Sequence, residues 1–186
     1  MPKEPLESAP LNIHTLGDDA LRADARRIGK VDERVRDLVR DMLRSMYTAR
    51  GIGLAAPQVG VHQQLLVIDL DLETPSTPPL VLINPEITTC SASVDTYEEG
   101  CLSIPGVYLD VVRPTAIQLS FRDEMGRPRT MKGWSDGALY SARDGPSPWG
   151  AVCRSCDRFQ WPQQGAKGPW LPRQGRPPHD ALNRCR

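Results

Sequence analysis

The feature that most limits what this 186-residue chain can fold into is an abrupt change of composition at about Trp134. Residues 134–186 contain seven Pro, six Gly and all four Trp, but only five residues of the Val, Ile, Leu, Met and Phe set. So few apolar side chains cannot build a hydrophobic core. We therefore expect one folded domain over residues 1–133 and a disordered tail over residues 134–186.

The charge of the chain limits its partners. Lys and Arg number 23 and Asp and Glu number 23, so the formal net charge is zero. A neutral chain has little long-range attraction to nucleic acid or to an anionic membrane. The sequence also lacks a run of about 18 apolar residues, and its first residues have no signal-peptide or transit-peptide pattern. We expect a cytoplasmic protein without a direct nucleic-acid or membrane partner.

Residues 1–133 have the periodicities of an α+β domain. Asp32 is a suitable N-cap, and apolar residues at three- and four-residue spacing behind it predict an amphipathic helix over residues 32–48. Apolar runs rich in β-branched residues predict antiparallel strands over residues 65–70, 80–83, 107–112, 115–121 and 127–131, the last of them after a turn. One helix cannot cover both faces of such sheets, so a second long helix is expected after Met131. The sequence does not supply one.

Two segments differ from ordinary loops, and the first is Gly51–Gly60, GIGLAAPQVG. Its glycines permit close approach of a ligand to the backbone, and the amide of Gln58 can donate a hydrogen bond to a carbonyl oxygen. These properties suit an oxyanion site. For an isolated Gly-x-Gly pattern, however, the simpler interpretation is a tight connection between helix and strand, with Gln58 facing solvent.

The second segment is Glu98–Gly106, EEGCLSIPG. The sulfur of Cys101 could be a metal-bound thiolate or a nucleophile, with the backbone N–H of Leu102 pointing into the same space. A lone cysteine is more often a small buried apolar side chain. The segment alone leaves both interpretations open.

Together the two segments resemble the peptide deformylases, metallohydrolases that remove the formyl group from the initiator methionine of nascent bacterial and organellar proteins. Members of that family carry G-φ-G-φ-A-A-x-Q, where φ is apolar, followed by E-G-C-L-S. This chain has the two motifs at Gly51–Gln58 and Glu99–Ser103, in the family's order and separation. The resemblance covers residues 10–133 and implies antiparallel sheets around a helix.

The resemblance implies a role for each motif residue. Cys101 would be a metal ligand, and the side chain of Gln58 and the amide of Leu102 would stabilise the oxyanion of the tetrahedral intermediate. A thiolate ligand suits a divalent iron or zinc ion. The implied partners are N-formylmethionyl nascent peptides and the exit region of the ribosome. The peptide groove would be lined by Ile52, Gly53 and Gly100.

The third motif of the family, H-E-x-x-H on a helix, is absent. In the family it supplies two metal ligands and the general acid/base. The histidines here are His14, His62 and His179, no two of them four residues apart, and no Glu follows Glu124. Because a catalytic metal needs about three protein ligands, we expect that Cys101 does not hold one stably and that the chain is inactive.

A change of reading frame would explain the absence. Codons from Trp134 to Arg158 can be chosen so that reading from the second base of the Trp134 codon gives H-E-M-D-H inside an amphipathic helix. Those letters belong to a hypothetical frame and not to this chain. The sequence therefore predicts a frameshift near Lys132 or Gly133, which leaves an incomplete deformylase-like domain and an out-of-frame tail rich in Pro, Gly, Trp and Arg.

Other interpretations exist for the tail and for the whole chain. A zinc site from Cys153, Cys156, His179 and Cys185 has loose spacing and no framing hairpin. The tryptophans of the tail could stack on single-stranded nucleic acid. The chain could also be a catalytically dead, peptide-binding remnant or a pseudogene product. A metal-free binding module at the ribosome exit would need a basic patch that residues 1–133, with 15 basic and 19 acidic residues, do not show.

Overall fold

The computed structural model describes residues 3–74 and 76–134, with the backbone alone for residues 133 and 134. Except for the backbone of Trp134, the tail that is predicted to be disordered and out of frame lies outside this range. The same holds for the alternative zinc ligands Cys153, Cys156, His179 and Cys185 and for the tryptophans beyond Trp134.

The described part of the chain is an α+β fold with antiparallel sheets, as the sequence predicted. Its elements are a 3-10 turn at Asp19–Leu21, α1 at Glu33–Thr48, β1 at Gly53–Ala55, a 3-10 turn at Ala56–Val59, β2 at Leu65–Ile68, β3 at Leu80–Cys90, β4 at Val94–Cys101, β5 at Ile104–Pro114, β6 at Ala116–Arg122 and β7 at Pro128–Trp134. A five-stranded sheet has the order β1-β2-β3-β6-β7, and β4 and β5 form a separate hairpin.

Helix α1 begins where its sequence predicts. The carboxylate of Asp32 accepts a hydrogen bond from the backbone N–H of Val35 at 3.2 Å, and Glu33 adds a negative charge to the first turn. The apolar face of the helix packs on one face of the five-stranded sheet. This cluster includes Val39, Met42, Leu43 and Met46 from α1 and Leu54, Leu65, Val67 and Ile83 from the sheet.

The opposite face of the sheet is also apolar. Side chains alternate along β2, so Leu65 and Val67 face α1 while Leu66 and Ile68 face away from it. Leu66 and Ile68 join Leu82 and Leu119 in a second buried cluster. Within the described residues α1 is the single α-helix, and the predicted need for a second helix after Met131 concerns residues beyond them.

Three strand assignments differ from the sequence prediction. Strand β1 is only three residues long, where the sequence predicts a loop, and β4 has no counterpart in the prediction because most of its residues are polar and half of them are exposed. Strand β3 continues past Ile83 to Cys90, where its polar residues pair with β6. Asn84 has φ of +52° and lies at a shift of register, which is how the strand passes the predicted end at Asn84-Pro85.

None of the helices among the described residues has the length and apolar character that crossing a lipid bilayer requires.

Candidate active site

The side chain of Gln58 is held at both ends in the 3-10 turn that follows β1. Its Oε1 accepts a hydrogen bond from the backbone N–H of Ala55 at 2.9 Å, so Nε2 points away from that strand. Nε2 then donates to Ser103 Oγ at 3.1 Å and lies 3.6 Å from Cys101 Sγ. Gln58 is buried. The interpretation in which Gln58 faces solvent is therefore wrong.

Cys101 lies at the end of β4, directly before the two-residue turn that leads into β5. The register of the hairpin shifts between Gly100 and Cys101, so that Cys101 pairs with Ile104 and the turn contains Leu102 and Ser103. The half-buried Cys101 is a free thiol. The hairpin thus presents the sulfur of Cys101 and the hydroxyl of Ser103 to the same Gln58 amide.

Leu102 anchors this turn in the core. Its side chain packs against the cluster beneath α1 and lies over Gly51, where an added Cβ would come within 2.6 Å of Leu102 Cδ1. Packing therefore fixes the backbone of Leu102 beside Cys101. The oxyanion role of the Leu102 amide stays a prediction.

Two backbone hydrogen bonds tie the N-terminal segment to both motifs. The N–H of His14 donates to the carbonyl of Gln58 at 2.7 Å, and the N–H of Leu16 donates to the carbonyl of Ser103 at 2.8 Å. Sequence reasoning missed both, because main-chain donors have no residue pattern. It also gave Ser103 no role, although a small hydroxyl residue two positions after the candidate cysteine could have indicated a partner for Gln58.

The predicted groove residues lie in both of the segments that meet at the contact between Gln58 and Cys101. Ile52 is buried, and its carbonyl accepts a hydrogen bond from the N–H of Asp69 at 2.8 Å. Gly53 begins β1, which is an edge strand within the described residues. Gly100 lies under the ring of Tyr108, where an added Cβ would be 2.8 Å from a ring carbon. Their role in peptide binding stays a prediction.

The described residues supply Cys101 as one candidate metal ligand but not a complete metal site. Over residues 3–74 and 76–134, no three His, Cys, Asp or Glu side chains form a group that could hold a metal ion. His14 Nδ1 bonds to Asp18 at 2.6 Å and His62 Nε2 bonds to the carbonyl of Ala20 at 3.2 Å. Because a hydrolytic metal needs about three protein ligands, this set does not fit one.

Comparison with known proteins shows the family to which this fold belongs. The polypeptide deformylase family model matches residues 10–139. The peptide deformylase of Synechococcus sp. strain CC9311 is 91% identical over 139 residues, which cover 75% of this chain and 68% of that protein. The peptide deformylase of Prochlorococcus marinus strain NATL1A is 62% identical over 137 residues, covering 74% of this chain and 67% of that protein.

Solved structures agree with the sequence comparison. The crystal structure of a peptide deformylase from Synechococcus elongatus in complex with actinonin is 51% identical, has a TM-score of 0.71, and is matched over 72% of this chain and 73% of that chain. A peptide deformylase from Legionella pneumophila is 40% identical with a TM-score of 0.63, over 67% of this chain and 72% of that one. The chain therefore belongs to the polypeptide deformylase family, a family of metal-dependent hydrolases.

Proposed function

We propose that this chain carries the oxyanion half of a peptide deformylase site and lacks the half that would bind a metal and activate water. The family reaction is hydrolysis of the formyl group from the N-terminal formylmethionine of nascent proteins. In this proposal the protein with this exact sequence, called the written chain below, does not catalyse that reaction. The observation that carries the proposal is the Gln58 amide directed at Cys101 and Ser103, in a described region without a three-ligand metal group.

Gln58 is proposed to donate to the formyl oxygen of a bound peptide. Its amide is oriented in advance, since Oε1 accepts from the N–H of Ala55 and Nε2 is directed towards Ser103 Oγ and Cys101 Sγ. A preorganised donor of this kind stabilises an oxyanion by about 2.7–4 kcal/mol in enzymes where it has been removed. The Leu102 amide is proposed as the second donor, because core packing fixes the turn that contains it.

Cys101 is proposed as the metal ligand that this half of the site would contribute. A thiolate next to an amide donor suits iron or zinc, but one ligand does not hold either ion in a hydrolytic geometry. Stable metal binding is therefore not part of the proposed function of the written chain.

A change of reading frame near Lys132 or Gly133 is proposed as the origin of the missing half. Four facts support it. The family model extends six residues past Gly133 and stops matching at residue 139, and a relative 91% identical over the matched part is covered over only 68% of its length. Unmatched residues remain on this chain too, and their codons can encode H-E-M-D-H in the shifted frame. Residues 1–133 would then be an incomplete domain and residues 134–186 an out-of-frame tail.

A second candidate function is binding of N-formylmethionyl peptides without hydrolysis. It is favoured by the placement of the donors and of the proposed groove residues Ile52, Gly53 and Gly100 within the described fold. Nascent chains at the ribosome exit, in the cytoplasm, would be the natural source of such peptides. Calorimetric titration with a formyl-Met tripeptide, compared with the same peptide lacking the formyl group, separates this candidate from a chain that binds nothing.

The main test is an activity assay on two proteins. The written chain, supplied with Fe²⁺ or Ni²⁺ under anaerobic conditions, is expected to release no formate from formyl-Met peptides. The chain with its frame restored after Gly133 is expected to release formate, and Cys101→Ala in that protein to abolish the release. Turnover by the written chain that Cys101→Ala abolishes would overturn the proposal.

A further inference from the structure

We propose that the segment His14–Leu16 is a clip that holds the loop containing Gln58 and the turn containing Ser103 at a fixed separation. The backbone N–H of Leu16 is then a positioning group for Gln58 and Cys101. Any effect of this separation on catalysis rests on the proposed function. The claim that the segment fixes the separation does not, and its test measures no enzymatic activity.

The need for such a clip follows from the topology. Gln58 follows an edge strand of the five-stranded sheet, whereas Cys101 and Ser103 lie at the end of the β4–β5 hairpin. The two sheets share no strand pairing among the described residues. Backbone ladders therefore do not set the distance between the amide of Gln58 and the sulfur of Cys101.

The clip connects the loop containing Gln58 to the turn containing Ser103 through two backbone N–H donors that are two residues apart. The N–H of His14 bonds to the carbonyl of Gln58 at 2.7 Å, and that of Leu16 bonds to the carbonyl of Ser103 at 2.8 Å. Two residues of extended chain span at most about 7 Å. The segment thus limits how far the loop that contains Gln58 can move from the turn that contains Ser103, in addition to the packing of Leu102 against the core.

The imidazole ring of His14 holds the end of the clip that bonds to Gln58. His14 Nδ1 bonds to Asp18 Oδ2 at 2.6 Å. This hydrogen bond is the main reason that the pKa of Asp18 is below its usual value. The other ring nitrogen lies over Gly60, which ends the turn of Gln58 with φ of +76°, and an added Cβ there would be 2.9 Å from it. The ring therefore occupies space that a larger residue than Gly60 would fill.

Leu16 offers a way to remove one hydrogen bond with little other change. Residues Thr15–Asp18 form a turn in which the N–H of Asp18 bonds to the carbonyl of Thr15 at 3.1 Å. Gly17 has φ of +109° and follows Leu16, which is the pattern of a type II turn with Leu16 at the position that favours Pro. Leu16→Pro should keep this turn and delete the donor to Ser103. The side chain of Leu16 is 70% exposed, so Leu16→Ala is the matched control that keeps the donor.

The test compares the two variants in the written chain. Amide hydrogen exchange over residues 101–104 is expected to be about tenfold faster in Leu16→Pro than in Leu16→Ala, the factor that corresponds to 1.4 kcal/mol. The side-chain amide resonances of Gln58 are expected to shift in Leu16→Pro and to stay in place in Leu16→Ala. Exchange in β2 should be equal in the two variants, because β2 reports global unfolding.

Two results would overturn the proposal. One is unchanged exchange over residues 101–104 together with unshifted Gln58 resonances in Leu16→Pro. The other is an equal acceleration in β2, which would mean that the bond supports general stability and positions nothing. If Leu16→Pro does not fold, Gly17→Ala strains the same turn in open space, and the same local pattern is expected from it.

The two proposals fail in distinguishable ways. If the clip is right and the proposed function wrong, Leu16→Pro still changes exchange and the Gln58 resonances, but the protein with the restored frame releases no formate. If the proposed function is right and the clip wrong, formate is released and Leu16→Pro changes neither signal.

Discussion

Gly51 lies directly beneath the side chain of Leu102, and this contact joins the two sequence motifs. An added Cβ on Gly51 would be 2.6 Å from Cδ1 and 3.1 Å from Cγ of Leu102. The half-buried Leu102 is in turn packed against the buried cluster under α1, so moving it aside would disturb that packing. The first glycine of one motif thus makes space for the leucine of the other, and that leucine follows Cys101.

Gly51→Ala is therefore expected to destabilise the fold by about 1–3 kcal/mol, as overpacking of a well-packed site does. The measurement is urea unfolding followed by circular dichroism. Gly29→Ala is the matched control, because an added Cβ at Gly29 meets nothing within 4 Å. Its unfolding free energy should stay within about 0.5 kcal/mol of the parent value. Equal values for the two variants would contradict the proposed contact.

A second prediction concerns Asn84, whose side chain takes the place of a strand partner. Its Oδ1 accepts from the N–H of Ile28 at 2.7 Å and its Nδ2 donates to the carbonyl of Ile28 at 2.8 Å, both in a buried setting. Its own backbone has φ of +52°, a conformation that asparagine adopts more readily than most residues.

Asn84→Gly should remove the two hydrogen bonds without backbone strain and cost about 1–3 kcal/mol, since buried groups of Ile28 lose their partners. Asn84→Ala loses the same bonds and adds the strain of a left-handed backbone, so it should cost about 1–2 kcal/mol more. Urea unfolding of both variants measures the difference. Equal unfolding free energies for the two variants would contradict the predicted strain of alanine at the positive φ of residue 84.

Helix α1 could be predicted from the sequence, because its signals are local. The cap at Asp32 and the spacing behind it determine α1. The oxyanion role of Gln58 and the metal-ligand role of Cys101 follow from the family resemblance and stay predictions. The distance between Gln58 and Cys101 could not be predicted, because it depends on contacts between two sheets. Strand β4 was missed for a related reason: its polar residues pair with β5 and do not form an apolar face.

A third prediction concerns pH and the pair Tyr47 and Asp69. The hydroxyl of Tyr47 donates to Asp69 Oδ2 at 2.7 Å, and both residues are buried. Burial, together with the hydrogen bond to the Asp69 carboxylate and its charge, raises the pKa of Tyr47 well above its usual value of 10. The unfolded chain therefore loses the Tyr47 proton near pH 10 while the folded chain keeps it.

It follows that the stabilisation from this proton is complete below pH 10 and is lost as pH rises towards the folded pKa. Tyr47→Phe should be less stable than the parent by about 1.5–3 kcal/mol at pH 8, because a hydrogen bond to a carboxylate is lost. The two stability curves should converge as pH rises above 10. Urea unfolding between pH 8 and pH 11 tests this, with Tyr108→Phe, an exposed tyrosine on β5, as the control. Parallel curves for Tyr47→Phe and the parent would contradict it.

The last prediction concerns Gln58 in the protein with its frame restored after Gly133. There Gln58→Ala should lower kcat for formyl-Met peptides by about 10²–10³, the usual effect of removing one oxyanion donor. KM should change little, because the donor acts mainly on charge that develops in the transition state. Gln118→Ala, on β6 and outside the site, is the control and should leave both constants unchanged. A rise in KM with kcat intact would instead mean that Gln58 only binds the peptide, which the fixed direction of its amide towards Cys101 argues against.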